Sequence, residues 1–372
     1  MPKYMFEATD EESRVFAAHE TSVDGIKHLM SDLANKQTIY GEDGKVISTA
    51  QANEALRNFC LDFVGLKKGF SRRDFKRAFE SGRIRRLFDI IEEIEDEALD
   101  VGYRESEWFN ALVDYRNIAN GDSERFWTDD DDIILDIAVV GKSHHDFALQ
   151  RIPAKQPYTM PYIRYGAAVG ADLNRYFAGQ EDFGKLISVL TKSVMVKNQG
   201  LIYAAISDAV TKMPVTDSNF VGSGTLAKSG FDTISDNVMA IYGNGVIIGT
   251  KSALRNINDI ADVDWISVSQ KEQVAASGIL GSYEGMLLVE VPQRFKDRTF
   301  TTKLMSDKDI FILPTDDYKL VNFVTRGETE IDEIEDKGEA NGRMDDLGKY
   351  ELQYEQAIGV KANKQFGYWK LP

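Results

Sequence analysis

Apolar positions change rhythm along this chain, and each change marks an element. In the first third Ile84, Leu87, Phe88, Ile91, Ile94 and Ala98 recur at three- and four-residue spacing, the stripe of one helix face. Polar, glycine-marked stretches such as "YGEDGK" (Tyr40 to Lys45) break that rhythm, so the region reads as an arm of separated helices. The pattern then becomes extended. "DIILDIAVVGKSHHDFALQRIPAKQPYTMPYIRYGAAV" reads as a strand, a polar tip and a returning strand. Pro153, Pro157 and Pro161 argue against a helix here and would disturb a central sheet strand. A two-stranded flap has little to bury against by itself, so it needs a partner surface.

Helical rhythm returns after Asp182, a good N-cap residue. Leu186, Ile187, Leu190, Val194, Leu201, Ile202, Ala205, Ile206 and Val210 form one stripe, and Pro214 closes it. The segment 183–213 predicts a rod about 45 Å long, in which Gly200 either bends the helix or admits a close neighbour. Beyond Ser235 short elements alternate. "VMAIYGNGVIIGT" predicts an edge strand, a turn and another strand, and "KSALRNINDI" a helix. In "SGILGSYEGMLLVEVPQRF", Gly278, Gly281 and Gly285 allow tight backbone geometry around a strand at Met286 to Val291. "KYELQYEQAIGVKANKQFGYWKL" alternates and is aromatic-rich, which predicts one long terminal strand buried in a sheet.

Composition bounds the class. The 372 residues, 43% apolar and 28% charged, are those of a globular protein with more than one lobe. No apolar run approaches the roughly 20 residues of a membrane span, and the first residues do not read as a signal peptide. Cys60 is the single cysteine, which excludes an intramolecular disulfide and points to a reducing cytosol as the place of synthesis. The net charge of −16 argues against a surface that wraps nucleic acid. Charge is unevenly placed, however. "KKGFSRRDFKRAFESGRIRR" (Lys67 to Arg86) carries nine cations against two acids, a local +7 that leaves −23 on the rest. "DIIEEIEDEALD" (Asp89 to Asp100) follows with seven acids and no base. The two blocks read as solvated helix faces, or as partners within one chain or between copies.

Reactive constellations are missing from the sequence. There is no G-x-S-x-G elbow, Walker loop or H-E-x-x-H. Asp129 to Asp132 lack the glycine and closing glutamate of a calcium loop. His144 and His145 are adjacent on an extended segment, so they point to opposite faces and are badly placed to share a metal. Gly243, Gly245 and Gly249 have the spacing G-x-G-x-x-x-G, and no helix is expected at the last of them, so turn geometry explains them better than phosphate binding. The expectation is no catalytic residue, no cofactor and no metal. A soluble enzyme using carboxylates is the rival from another class, and no pair stands out among 60 acids.

The order of parts resembles the major capsid protein of tailed bacteriophages, the fold named after phage Hong Kong ninety-seven. The residues that carry the resemblance are "TMPYIRYGAAVGADLNRYFAGQED", the long helix after it, "GILGSYEGMLLVEVPQRF" and the terminal "GYWKL". It implies an α+β fold with a helical N-terminal arm (1–128), an extended β-hairpin loop (129–164) and a peripheral domain (165–235 and 343–372). The peripheral domain holds the spine helix 183–213, and a mixed α/β axial domain covers 236–342. The implied function is a shell protein that assembles into pentamers and hexamers around packaged double-stranded DNA. That places it in the virion after synthesis in the host cytoplasm.

The resemblance further implies self-association and partners of scaffolding, portal and decoration type, with no membrane. It leaves open a separate scaffold against a cleaved N-terminal segment. An encapsulin-like cargo compartment would share the fold, but no match to a cargo-docking N-terminus is seen. The residues expected at assembly interfaces are Arg72, Arg73, Lys76, Arg77, Arg83, Arg85 and Arg86 in the basic block. Lys142 and Lys155 in the loop join them, because some members crosslink through lysine, and Gly278, Gly281 and Gly285 complete the set.

Overall fold

The computed structural model describes residues 48–83, 92, 96, 99–100, 102–104, 106–127, 157–172, 183–261, 268–296, 299–315, 319–334, 347–361 and 364–372. The described helices are α1 (Thr49–Val64), α2 (Arg72–Glu80), α3 (Glu107–Leu112), α4 (Phe183–Val210), α5 (Lys228–Tyr242), α6 (Lys251–Ile260) and α7 (Val268–Ser277). The strands are β1 (Val113–Ile118), β2 (Phe126–Trp127), β3 (Pro157–Tyr158), β4 (Ile163–Asp172), β5 (Val221–Ser223) and β6 (Val246–Gly249). They continue with β7 (Ser282–Tyr283), β8 (Met286–Glu290), β9 (Asp309–Leu313), β10 (Val321–Ile334), β11 (Leu347–Val360) and β12 (Gly367–Lys370). The fold is therefore mixed α+β, the class expected.

The chain forms two compact units, one comprising Met1–Glu105, Arg164–Lys197 and Gly327–Glu355, the other Ser106–Ile163, Asn198–Arg326 and Gln356–Pro372. In the first unit α1 begins at Ser48, whose side chain accepts from the Gln51 amide while Gln51 reaches back to the Ser48 amide. The helix ends at Gly65, left-handed with φ 75°, and buries Ala52, Leu56, Cys60, Leu61, Phe63 and Val64. Strand β4 adjoins β11 in one sheet. Tyr165 and Tyr354 stack at 5.8 Å, and Arg164 pairs with Glu355 at 3.0 Å.

The second unit is built on a six-stranded mixed sheet, order β5-β12-β9-β6-β8-β7. β6 lies parallel to β8 and antiparallel to β9, and β12 lies antiparallel to β9 and parallel to β5. Phe231, Ile234 and Val238 of α5 and Leu254 and Ile257 of α6 pack with Ile247, Met286, Leu288, Ile310, Ile312 and Trp369. The apolar sheet residues and helix stripes thus close one core, the dominant stabilising term. Trp369 fits because of a missing side chain: a Cβ on Gly222 would lie 2.1 Å from its ring carbon Cε3. Its indole N–H donates to the Gly224 carbonyl at 3.1 Å. Gly200, by the same test, admits a neighbour, since a Cβ there would come 2.9 Å from Leu304 Cδ1.

Four local expectations are corrected. Val238 to Tyr242 do not form an edge strand but finish α5, whose stripe starts at Phe231 and whose stop is left-handed Gly243 at φ 74°. The terminal segment is not one strand, because β11 and β12 belong to different sheets with the turn at Lys361 and Lys364 between them. A helix does begin just past Gly249, with Thr250 as its N-cap accepting from the Ala253 amide at 3.4 Å. That end is occupied by the chain itself, for Thr250 also hydrogen-bonds the Asp307 carboxylate. The spine helix ends at Val210, three residues short of the expected limit, with Lys212 donating to the Ala209 carbonyl in a turn.

Candidate assembly surfaces

The basic block begins with a capping arrangement that fixes its helix. Ser71 and Asp74 bond reciprocally: the Ser71 amide and hydroxyl donate to Asp74 Oδ2 at 3.0 and 2.7 Å, and the Asp74 amide donates to Ser71 Oγ at 3.3 Å. Those Ser71 bonds, with the Arg77 charge adding to them, hold the Asp74 carboxyl below its ordinary range. The one acid at the start of α2 is thereby committed to its own cap. Arg73 and Arg77 are exposed on the helix, and Ala78 is buried beneath it.

Behind this helix lies a cleft of about 520 Å³ with Leu66, Phe70 and Ala78 among its apolar walls and Lys67, Arg77 and Arg83 around them. Arg83 Nη1 sits where Gly65 would otherwise carry a side chain, 2.6 Å from a Cβ built there. Glycine at 65 therefore serves both the helix stop and the seat of this guanidinium. Of the expected residues, the structure brings Arg77 and Arg83 to one cleft and leaves Arg73 exposed on the same helix. Arg72 and Lys76 lie on α2. Arg85, Arg86, Lys142 and Lys155 lie outside the described residues, as do His144, His145 and the acidic quartet 129–132.

The glycine segment is a piece of backbone shaping. Gly278 ends α7 in the left-handed region at φ 83°, its amide donating to Val274 at 2.8 Å. Glu284 and Gly285, at φ 45° and 84°, make the two-residue turn joining β7 to β8, whose positive φ at both positions suits the twist of a hairpin. Gly281 instead accepts the Leu288 amide at 3.0 Å. Leu287 points out of this hairpin and is exposed.

Sequence reasoning missed a polar node beside the spine helix. Buried Asp309 on β9 accepts hydroxyl hydrogens from Tyr203 on α4 and, at 2.9 Å, from Tyr368 on β12. The Ser306 amide donates to Tyr203 Oη at 3.2 Å. Burial first, and then the bond to Asp309, push both phenols above their ordinary range. Tyr283 is raised for the same two reasons, burial and its 2.6 Å bond to Asp232. This arrangement keeps the phenols protonated and ties three elements together; it offers no attacking group.

β2 pairs antiparallel with β3, Phe126 opposite Tyr158 and Trp127 opposite Pro157. Beneath them Phe126, Met160, Val324 and Ala357 form a small cluster. A Cβ on Gly359 would come 2.3 Å from Met160 Sδ, so a missing side chain again makes the fit.

Comparisons with known proteins supply the frame for these surfaces. Residues 25–370 match the model of a family described as "SPbeta prophage-derived putative capsid protein YonB". No curated protein matches the chain. Similar solved structures include Microbacterium phage Oxtober96, 12% identical over 72% of this chain and 91% of that one, TM-score 0.47. The capsid of cyanophage P-SCSP1u is 10% identical over 71% and 88%, TM-score 0.44. The mature capsid of bacteriophage PhiM1 is 11% identical over 71% and 86%, TM-score 0.44.

Proposed function

The chain belongs to this prophage capsid family, and on that premise we propose that it is the major shell protein of a tailed-phage head, built on the Hong Kong ninety-seven plan. The carrying observation is a family match that runs through 25–370, nearly the whole chain. In this reading copies associate through heterologous contacts that close by rotation into pentamers and hexamers, and these enclose double-stranded DNA. The four-part plan assigns 1–128 to the arm, 129–164 to the extended loop, 165–235 with 343–372 to the peripheral domain, and 236–342 to the axial domain. Strand β12 then contributes to the sheet that also holds the axial strands.

Several features support the reading. β2 and β3 would close the root of the extended loop, which is expected to find its partner surface on a neighbour. The left-handed turns at Gly278 and Gly285 shape backbone without any reactive group, as expected where many copies converge. The exposed cations Arg73, Arg77 and Arg83, with Arg72, Lys76, Arg85 and Arg86 of the same block, would meet acidic surface on an adjacent copy or on a scaffolding protein. The chain's charge of −16 favours that, and a negative shell does not cling to the DNA it encloses. The shell does no chemistry in this reading, and it joins portal and decoration proteins in the virion. A cargo compartment is not favoured, because the matched family is a prophage capsid family. Size exclusion with light scattering at rising concentration, with and without a scaffold partner, tests the proposal. Large oligomers are expected; a stable monomer under every condition would refute it.

A further inference from the structure

Among the described residues between Pro292 and Met305, the fold holds an aromatic pair out to solvent. Phe295 and Phe300 meet edge to face, ring centroids 5.4 Å apart and planes at 88°. Phe300 is 70% exposed and Phe295 44%. Two exposed phenylalanines touching each other rather than a core are an unusual use of apolar surface.

The frame around them is firmly pinned. Phe295 and Lys303 are antiparallel bridge partners, the Lys296 amide donates to the Thr302 carbonyl, and the Leu304 amide donates to Arg294, both at 2.8 Å. At the root Gln293 Nε2 donates to the Met305 carbonyl and to Asp307 Oδ1, each at 2.8 Å, and Gln293 Oε1 accepts the Met305 amide at 3.1 Å. Leu304 fills the notch at Gly200, and Gln199 Nε2 donates to the Pro292 carbonyl at 2.8 Å, which clamps the root to α4. Phe300 itself adopts φ 56°, a left-handed conformation that is an outlier for a bulky residue. Local strain spent to present a ring outward leads to a hypothesis of function.

We infer that this hairpin is a preformed knob that docks on a second copy of the same chain, with Phe295 and Phe300 as its apolar anchors. Arg294 and Lys296 flank Phe295 in sequence, and Lys303, its bridge partner, is ion-paired with Asp307, so the hairpin is basic on a chain of net charge −16. Its electrostatic complement is therefore the acidic surface that every other copy presents. Exposed phenylalanines beside an arginine suit the core of an interface, and a root held by backbone hydrogen bonds lowers the ordering cost of docking. This rests on the shell-forming reading, which supplies neighbouring copies at fixed positions.

The test uses the full chain. Phe300→Ser, Phe295→Ser and Lys296→Glu should keep the circular dichroism and melting of the unassembled chain, because these side chains are exposed. Particle yield should fall about tenfold or more for the double phenylalanine variant. A photoreactive phenylalanine analogue placed at Phe300 should give covalent dimers of this chain within wild-type-like particles. Particle yield equal to wild type, or crosslinks running only to nucleic acid or to a different protein, would overturn the knob while leaving the shell intact. Absence of wild-type particles would fell the shell reading and the knob with it.

Discussion

Tyr368 donates its hydroxyl hydrogen to Asp309 Oδ1 at 2.9 Å across 59 residues of sequence, joining β12 to β9. The bond matters because Asp309 is buried, and a buried carboxylate that loses a donor bears the desolvation alone. Tyr368→Phe should therefore lower unfolding free energy by about 1–3 kcal/mol, read from denaturant midpoints at unchanged slope. An unchanged midpoint would mean that Tyr203 alone satisfies the carboxylate.

The same phenols set an alkaline limit. Burial, helped by Asp309 or Asp232, raises Tyr203, Tyr368 and Tyr283, and burial with Tyr165 nearby pushes Tyr354 up to about 12. A raised folded pKa gives stability that is complete below the unfolded value of about 10 and is lost as pH climbs toward the folded values. Melting temperature should thus hold steady up to about pH 10 and then fall, with tyrosinate absorbance rising together with unfolding. Titration of all the tyrosines near pH ~10 in the folded chain would contradict this.

Acid acts in the opposite sense and more weakly. Burial alone would raise the Asp307 carboxyl, but the Lys303 ammonium, Gln293 amide and Thr250 hydroxyl hold it below its ordinary value. Its contribution is present above the unfolded value of about 3.9 and disappears as pH drops through the lower folded one. Its side chain is 24% exposed and its partner Lys303 49%, so solvent screens the pair and Asp307→Asn should shift the acid unfolding midpoint only slightly.

Gly222 offers a packing test. A methyl group there would press on the Trp369 indole, with no open space on that side. Gly222→Ala should destabilise by about 1–3 kcal/mol, as overpacked cores do, while a thermal midpoint equal to wild type would show that the indole can swing aside.

Much of the architecture is legible in sequence where one local rule dominates. α6 follows from Thr250 as cap and from Ala253, Leu254 and Ile257 on one face. The end of α5 is hidden because Val238, Ile241 and Tyr242 are β-prone taken alone, and only Phe231 and Ile234 upstream reveal the helix stripe. The break between β11 and β12 is masked because Lys364, Gln365 and Phe366 are all buried, so no exposed loop signal separates the two strands. Of the candidate surfaces, the basic helix is readable as charge, but its cleft needs Gly65 and Arg83 to meet, and the node at Asp309 joins residues 106 apart to Tyr203. Contacts that distant leave no periodic trace.

Charge reversal addresses the basic block. Arg72, Arg73, Lys76 and Arg77 changed together to glutamate should leave helical content and melting of the unassembled chain nearly intact while lowering particle yield. Each exposed pair contributes only about 0.2–1 kcal/mol, but a shell repeats the contact in every copy. Raising salt should weaken early assembly of the wild type in the same direction. Normal yield with an unchanged salt response would reduce the block to a solvated helix face.

Electron microscopy of the overexpressed, purified chain tests the shell directly. Closed particles, rings or curved sheets of repeating subunits are the predicted result, with scaffold co-expression converting open forms to closed ones. A uniform field of small, discrete particles that never grow, with or without scaffold, would contradict it.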